Sequence, residues 1–169
     1  MFLRALLATV FLLPTTPLAA DVLRVPGLSD TAPPKLELPA CANTGDQNNC
    51  ARTLACIGGD GLWFDGQARG WNAGVIAGQM SNGVVCGGNW SYGGLFNTAR
   101  AQITCEDGTK ASLFYYAQDS LTGTGKARGY DNHGRSIRAW TGHNVLEFLR
   151  PEAGAKPELP CTDAPIPIS

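Results

Sequence analysis

The sequence predicts an all-β protein: an antiparallel meander of hairpins that forms a curled sheet or a small barrel, preceded by a short disulfide-stapled loop or helix. Between about residues 61 and 150, short runs with strand chemistry alternate with turn dipeptides, as in antiparallel sheets. Charged residues make up only 16% of the chain and glycines number 21, a composition typical of β-rich extracytoplasmic proteins. Turn glycines also recur at a nearly constant interval, which indicates one hairpin per repeat.

Residues 1–20 have the pattern of a secretory signal peptide. Arg4 precedes an apolar run, a Pro-Thr-Thr-Pro stretch follows, and Ala19 and Ala20 are small residues suited to cleavage. The apolar run is too short to span a bilayer comfortably, and no later run is long enough to do so. We therefore expect a periplasmic or secreted mature protein that begins at Asp21 and has no transmembrane segment.

The next two segments are predicted to lie outside the sheet. Residues 21–40, with the stretch "DTAPPKLELPA", have no apolar period and predict an extended Pro-rich linker. Residues 41–60 contain three cysteines in a short space, which predicts a stapled loop. Asp46 is placed to cap a short helix that carries Cys50 and Leu54.

Residues 61–150 are predicted to form the antiparallel β domain. The runs "LWFDGQARGW", "GVIAGQM", "VVCGGNW", "ARAQITC" and "KASLFYYA" have strand chemistry, and Asn-Gly and Asp-Gly dipeptides separate some of them. The run "ARAQITC" alternates, with Ile103 and Cys105 on one face. Continuing that face through the following turn requires an odd-length loop, which we expect to place Cys105 opposite Ala111 and Ile103 opposite Leu113.

Six cysteines in an oxidising compartment predict three disulfide bonds. The Pro-rich tail, residues 151–169, contains Cys161, which we expect to tie the tail to one of the N-terminal cysteines. That arrangement leaves Cys86 and Cys105 to pair with each other across neighbouring strands. The pairing within the remaining set stays open: Cys41, Cys50, Cys56 and Cys161.

The turn glycines define a repeat. Gly83, Gly108 and Gly134 lie 25 and 26 residues apart, and each is followed six or seven residues later by an aromatic residue. The best-formed unit, "GTGKARGYDNHGRSIRAWTG", resembles the MORN repeat, a β-hairpin unit of about this length. The matching positions are Gly123, Gly125, Asp131, Gly134, Ile137, Ala139 and Trp140. The resemblance covers about half of the mature chain and implies a scaffold or binding surface rather than an enzyme.

The last hairpin of that repeat contains the candidate binding residues. A three-residue loop at Asn132-His133-Gly134 pairs Lys126 with Trp140, Arg128 with Arg138 and Tyr130 with Ser136. Like charges directly opposite each other are unfavourable, and an anionic ligand would relieve them. A cation–π contact between Lys126 and Trp140 is also expected. The predicted ligand-binding or partner-binding residues are Lys126, Arg128, Tyr130, Arg138 and Trp140.

Several other functions fit the sequence poorly. The stretch around Gly125-Lys126 lacks the Ser or Thr of a phosphate-binding loop and the spacing of a dinucleotide fingerprint, so we expect no nucleotide cofactor. No Cys-x-x-Cys occurs and His133 and His143 are the only histidines, so we expect no metal. A net charge of −1 provides no global attraction for nucleic acid.

The aromatic residues have two interpretations. Most are expected to be core residues of the sheet, and a sugar-binding platform is the alternative. The residues concerned are Trp63, Phe64, Trp71, Trp90, Tyr115, Tyr116 and Trp140.

The sequence therefore favours a non-catalytic binding or structural protein of the envelope, with an unknown protein or glycan partner. The first alternative is a secreted inhibitor of a cell-wall hydrolase, by analogy with the disulfide-tied barrels of periplasmic lysozyme inhibitors. The second alternative is a small extracytoplasmic hydrolase, which would need His133 or His143 beside a carboxylate or Ser136.

Overall fold

The computed structural model describes residues 35–93 and 98–168, and these residues form a closed antiparallel barrel of eight strands. The strands follow chain order: β1 (Cys50–Ile57), β2 (Leu62–Trp71), β3 (Ala73–Met80), β4 (Val85–Tyr92), β5 (Ala99–Cys105), β6 (Lys110–Gln118), β7 (Gly125–Asp131) and β8 (Ser136–Gly142). Each strand pairs with the next, and β1 also pairs with β8, so the sheet has no unpaired edge. The predicted all-β meander is confirmed, in its closed form.

The predicted signal peptide, residues 1–20, and residues 21–34 of the predicted linker lie outside the described residues. The described part of the linker runs along the outside of the barrel. There the Gln67 side chain donates to the Pro39 carbonyl at 3.1 Å, and the Arg69 guanidinium donates to Pro39 and Ala40 at 2.8 and 3.0 Å. Within the described residues, no helix is long and apolar enough to cross a bilayer.

The predicted short helix between residues 41 and 60 is wrong, because Cys50–Ile57 is strand β1. Asp46 instead caps a turn, where its carboxylate accepts hydrogen bonds from the Asn48 backbone N–H and the Thr44 hydroxyl. The strand lacks the usual alternation of apolar and polar residues because both of its faces are buried: Ala55 points into the barrel, and Leu54 lies under the C-terminal tail. The barrel therefore begins at residue 50 rather than near 61.

The barrel interior is filled by side chains from all eight strands, as expected for a barrel of this size. Its buried core consists of Ala55, Ile57, Phe64, Ala68, Ile76, Met80, Cys86, Ala101, Cys105, Leu113, Ala127, Ile137 and Ala139. Gly66 and Gly78 face each other across β2 and β3, where a Cβ at Gly78 would collide with the Phe64 ring and the Asp65 carbonyl. Glycine at this pair makes room for the Phe64 ring inside the barrel.

A second apolar core lies on the outside of β1 and β8, under the C-terminal segment. This segment contains the short helix α1 (Val145–Phe148) and a two-stranded ribbon formed by β9 (Glu158–Leu159) and β10 (Ile166–Pro167). The buried residues of this core are Leu54, Cys56, Trp140, Val145, Leu149, Leu159, Cys161 and Ile168. The segment after residue 150 is therefore packed against the barrel.

The three disulfides are Cys41–Cys50, Cys56–Cys161 and Cys86–Cys105. The predicted Cys86–Cys105 bond is confirmed and joins directly opposed residues of β4 and β5. Cys161 ties the tail to an N-terminal cysteine, as predicted, and its partner is Cys56. Three disulfides indicate that the protein folds in an oxidising environment.

The three repeat glycines occupy the turns of successive hairpins, with φ values of 93°, 83° and 77° at Gly83, Gly108 and Gly134. The turn at Gly108 closes a three-residue loop, since the Cys105 N–H donates to the Thr109 carbonyl. The loop is odd in length, as predicted, but it is two residues shorter than a pairing of Cys105 with Ala111 would require. Ile103 is therefore opposite Ala111 rather than Leu113. Ile103 and Cys105 still share one face, which is the face that packs in the barrel core.

The β7–β8 turn is organised by the buried carboxylate of Asp131. One oxygen accepts hydrogen bonds from the backbone N–H groups of His133 and Arg135, each at 2.9 Å, and the other accepts from the Arg135 guanidinium at 2.6 Å. Burial alone would raise the pKa of Asp131, but the hydrogen bonds from Arg135 and His133 and the charge of Arg135 outweigh it. Together they hold the pKa below its ordinary value of 3.8.

We expect Asp131→Asn to lower the free energy of unfolding by about 1–3 kcal/mol at pH 7, because the bond to the Arg135 guanidinium is lost. Because the pKa of Asp131 is lower in the folded than in the unfolded state, its carboxylate stabilises the fold above pH 3.8. That stabilisation disappears as the pH falls through the lowered pKa. Urea unfolding at neutral and acid pH should thus show the variant approaching the native protein at acid pH. An equal difference at both pH values would contradict this account.

Candidate functional site

The β7–β8 hairpin has the register that the sequence predicts. Lys126 is opposite Trp140, Arg128 is opposite Arg138, and Tyr130 is opposite Ser136. The small and apolar residues of the hairpin face the barrel core, so the cations face outward. Tyr130 is 68% exposed. The structure therefore brings the predicted residues onto one outer surface.

Trp140 was predicted to bind the ligand or partner, and this prediction is wrong. Its side chain is only 9% exposed because α1 and the tail cover it, so it packs in the outer core and is not available to a ligand. The expected Lys126–Trp140 cation–π contact is replaced by Lys126 over the Phe148 ring, at 5.4 Å from the ring centroid. Arg138 remains exposed, and its guanidinium donates a hydrogen bond to the Pro160 carbonyl of the tail.

The pairing of β5 with β6 and of β6 with β7 extends the hairpin surface across two more strands. Arg128 of β7 is opposite Phe114 of β6, and Phe114 is opposite Arg100 of β5. Arg100, Phe114, Arg128 and Arg138 thus form one row across four strands, and all four side chains are exposed. Neighbouring strands lie about 4.8 Å apart, so the row is roughly 14 Å long.

A β-bulge in β6 places a further aromatic side chain beside this row. The register shifts between Tyr115 and Ala117, which leaves Tyr116 as the extra residue of β6. Bulges change the direction of a side chain relative to a regular strand. The Arg128 guanidinium lies 5.3 Å from the centroid of the Tyr116 ring, a cation–π distance, and Tyr116 is 49% exposed.

We call this surface the basic–aromatic face and define it as Arg100, Phe114, Tyr116, Lys126, Arg128, Tyr130 and Arg138. No outward position of β5, β6, β7 or β8 is occupied by an acidic residue. Three acids lie in the loops that follow β5 and β6: Glu106, Asp107 and Asp119. Hydrogen bonds from Thr109 and Thr122 lower the pKa of Asp107 and Asp119 respectively. Every charged side chain at an outward position of β5–β8 is therefore a cation, in a nearly neutral chain.

A groove of about 570 Å³ lies elsewhere, on the outer surface of β1, β2 and β3 beside residues 35–41 and the C-terminal tail. The Arg52 guanidinium and the Asp65 carboxylate form an ion pair at 2.6 Å in its lining. The backbone N–H of Leu36 donates to the Gln79 side chain. The lining also includes Lys35, so it holds two cations and one carboxylate.

The barrel core offers little space for a ligand. The internal cavity lined by Phe64, Met80, Leu113 and their neighbours measures about 30 Å³, against about 300–1,000 Å³ for typical small-molecule sites. Tyr115 points inward and its hydroxyl lies 2.9 Å from the Thr141 hydroxyl, while burial raises its pKa. The accessible functional surface is therefore on the outside.

The histidines do not converge. His133 lies in the β7–β8 turn and His143 follows the other end of β8, so a whole strand separates them. The Asp131 carboxylate near His133 is already bonded to the backbone of its turn. Within residues 35–93 and 98–168, no group of three or more His, Cys, Asp or Glu residues is placed to hold a metal.

These features define the class of the protein: a small closed antiparallel β-barrel with three disulfides. No family model matches the chain, and no curated protein matches it significantly. Among solved structures it is similar to a redesigned β-barrel, mFAP0, bound to DFHBI, with 17% identity and a TM-score of 0.45 over 57% of this chain and 97% of that one. It is also similar to a de novo designed fluorescence-activating β-barrel, with 16% identity and a TM-score of 0.44 over 55% of this chain and 89% of that one.

Sequence reasoning missed Arg100, Phe114 and Tyr116 as members of the face. Arg100 was visible as an outward residue of its strand, because the run "ARAQITC" alternates. Its position beside the last hairpin depends on the loop lengths that set the register between β5, β6 and β7. Tyr116 depends on a bulge, for which the sequence carries no local signal.

Proposed function

We propose that this chain is a non-catalytic extracytoplasmic binding protein that holds an anionic partner on the basic–aromatic face. The observation that carries the proposal is the row of Arg100, Phe114, Arg128 and Arg138 across four strands. Three guanidiniums without a carboxylate at any outward position of those strands attract anions and steer their approach.

The direct opposition of Arg128 and Arg138 supports this role. A like-charged pair at opposed positions destabilises a sheet. The two guanidiniums have different protein partners, Tyr116 for Arg128 and the Pro160 carbonyl for Arg138, and an anion bound by both would reduce the remaining repulsion. Each guanidinium can bind a carboxylate through two hydrogen bonds, which gives direction as well as attraction. The barrel holds the row on paired strands, so the cations are positioned before the partner arrives.

The disulfide bonds fit the proposed extracytoplasmic location. A secreted or periplasmic location follows from the predicted signal peptide at residues 1–20 and is compatible with the three disulfide bonds. The MORN-like hairpin repeat implies the same kind of role, a rigid binding surface.

The test is titration of the mature protein with two soluble polyanions, poly-glutamate and an oligogalacturonate, at low ionic strength. We expect Arg100→Ser/Arg128→Ser to weaken binding of both roughly 2- to 30-fold, because each of the two exposed contacts contributes roughly 0.2–1 kcal/mol. A matched control, Arg150→Ser/Lys156→Ser, removes the same charge outside β5–β8 and should change binding by less than about twofold.

Equal binding by the native protein and the Arg100/Arg128 variant would contradict the proposal. A native protein that binds neither polyanion but inhibits a cell-wall hydrolase in a turbidity assay would support the inhibitor alternative instead.

A further inference from the structure

The basic–aromatic face alternates cations with exposed rings. Along the row, Phe114 lies between Arg100 and Arg128, and the bulge places Tyr116 beside Arg128. Tyr130 follows Arg128 on the next outward position of β7. Phe114, Tyr116 and Tyr130 are 43%, 49% and 68% exposed, so apolar ring surface is available between the charges.

A purely electrostatic site does not need these rings. Exposed aromatic side chains cost hydration free energy unless a partner covers them. A polypeptide of acidic residues would use the guanidiniums and leave most of the ring surface exposed. A sugar chain presents apolar C–H faces on its rings as well as polar groups on their edges, and so fits both components of the face.

The linear arrangement of the cations restricts the ligand further. Arg100, Arg128 and Arg138 lie on one line perpendicular to the strands, with backbone positions separated by one or two strand spacings of about 4.8 Å. A compact anion can contact only one neighbouring pair, whereas a chain of linked acidic sugar rings carries a carboxylate at regular intervals along its length. The row ends at the C-terminal tail on the β8 side, where Arg138 is opposite the buried Cys56 and bonded to Pro160. On the β5 side it continues onto the exposed Ser91 of β4, so an extended chain can enter from that side.

We infer that the partner is a linear acidic polysaccharide that crosses strands β5 to β8, with its carboxylates on the arginines and its ring faces on Phe114 and Tyr116. This inference rests on the proposed function, since it specifies the chemistry of the same site.

The experiment compares three probes of matched length on the native protein: an oligogalacturonate, its neutral methyl ester and poly-glutamate. We expect the oligogalacturonate to bind at least about tenfold more tightly than poly-glutamate, because two rings stack in addition to the ionic contacts, and the methyl ester to bind much more weakly. Phe114→Ser/Tyr116→Ser should lose about tenfold in affinity for the oligogalacturonate and less than about twofold for poly-glutamate. Val75→Ser/Tyr92→Ser removes exposed apolar side chains outside the face and should change neither affinity.

Two outcomes would overturn the inference while leaving the proposed function intact: equal affinity for poly-glutamate and oligogalacturonate, or equal weakening of both by the aromatic variant. Tighter binding of a single-stranded oligonucleotide than of the oligogalacturonate would also overturn it, since nucleobases stack on exposed rings beside arginines. If neither polyanion binds the native protein, the proposed function itself fails.

Discussion

Reversing the charge at Arg128 should weaken polyanion binding about a hundredfold and leave the stability of the barrel nearly unchanged. Arg128 is central in the row, between Phe114 and Arg138, so a carboxylate there both removes an attraction and repels the ligand. The same carboxylate would lie opposite Arg138, and replacing a like-charged cross-strand pair by an oppositely charged one contributes roughly 0.2–1 kcal/mol to stability. That gain offsets the loss of the Arg128–Tyr116 cation–π contact, which contributes about 0.5–1 kcal/mol. Arg128→Glu should therefore lose binding in a titration while its thermal melt stays close to that of the native protein.

A nearly unchanged thermal melt separates a loss of binding from a loss of folding. Lys156→Glu introduces the same change in net charge at an exposed position of the C-terminal segment and serves as the control. We expect this control to keep native affinity within about threefold at physiological salt, where charges beyond a Debye length of about 8 Å are screened. Native affinity in Arg128→Glu would show that the face is not the binding site.

Removing the Cys56–Cys161 disulfide should have the largest effect on stability. This bond closes a loop of 105 residues, and the loop-entropy relation gives about 4.7 kcal/mol for a loop of this size. It also holds the tail over Leu54 and Trp140 in the outer core. We expect Cys56→Ala/Cys161→Ala to lower the denaturant midpoint strongly and to make the tail susceptible to proteolysis. The Trp140 side chain should become exposed to water, which its fluorescence would report.

Removal of the Cys41–Cys50 bond is the comparison for the loss of Cys56–Cys161. It closes a loop of only nine residues, for which the same relation gives roughly 2.6 kcal/mol, and it covers no apolar core. Cys41→Ala/Cys50→Ala should therefore be clearly the milder variant. Similar midpoints for the two double variants would show that the tail contributes nothing to the fold.

The hairpins were predictable from the sequence because their signals are local. Turn glycines at positions 83, 108 and 134 mark three hairpins, and the loop at Gly134 sets the register of β7 and β8 correctly. The Cys86–Cys105 bond followed from the same reasoning, because it joins neighbouring strands.

Other features depend on contacts distant in sequence. Strand β1 was mistaken for a short helix because the tail covers its outer face and hides the alternation that identifies a strand. Trp140 was placed on the accessible surface for the same reason: residues of α1 and the tail bury it. The row from Arg100 to Arg138 was predicted only at its β7–β8 end, since the remainder requires the register of three further strands.

The most direct test of the central claim is backbone amide NMR of the native mature protein during titration with oligogalacturonate. It needs no substitution and locates the contact on the barrel. We expect the largest chemical-shift changes at Arg100, Phe114, Tyr116, Arg128 and Arg138, diminishing as salt is added. Changes concentrated in the groove around Trp63, Asp65 and Gln79, with the β5–β8 surface unperturbed, would contradict the account.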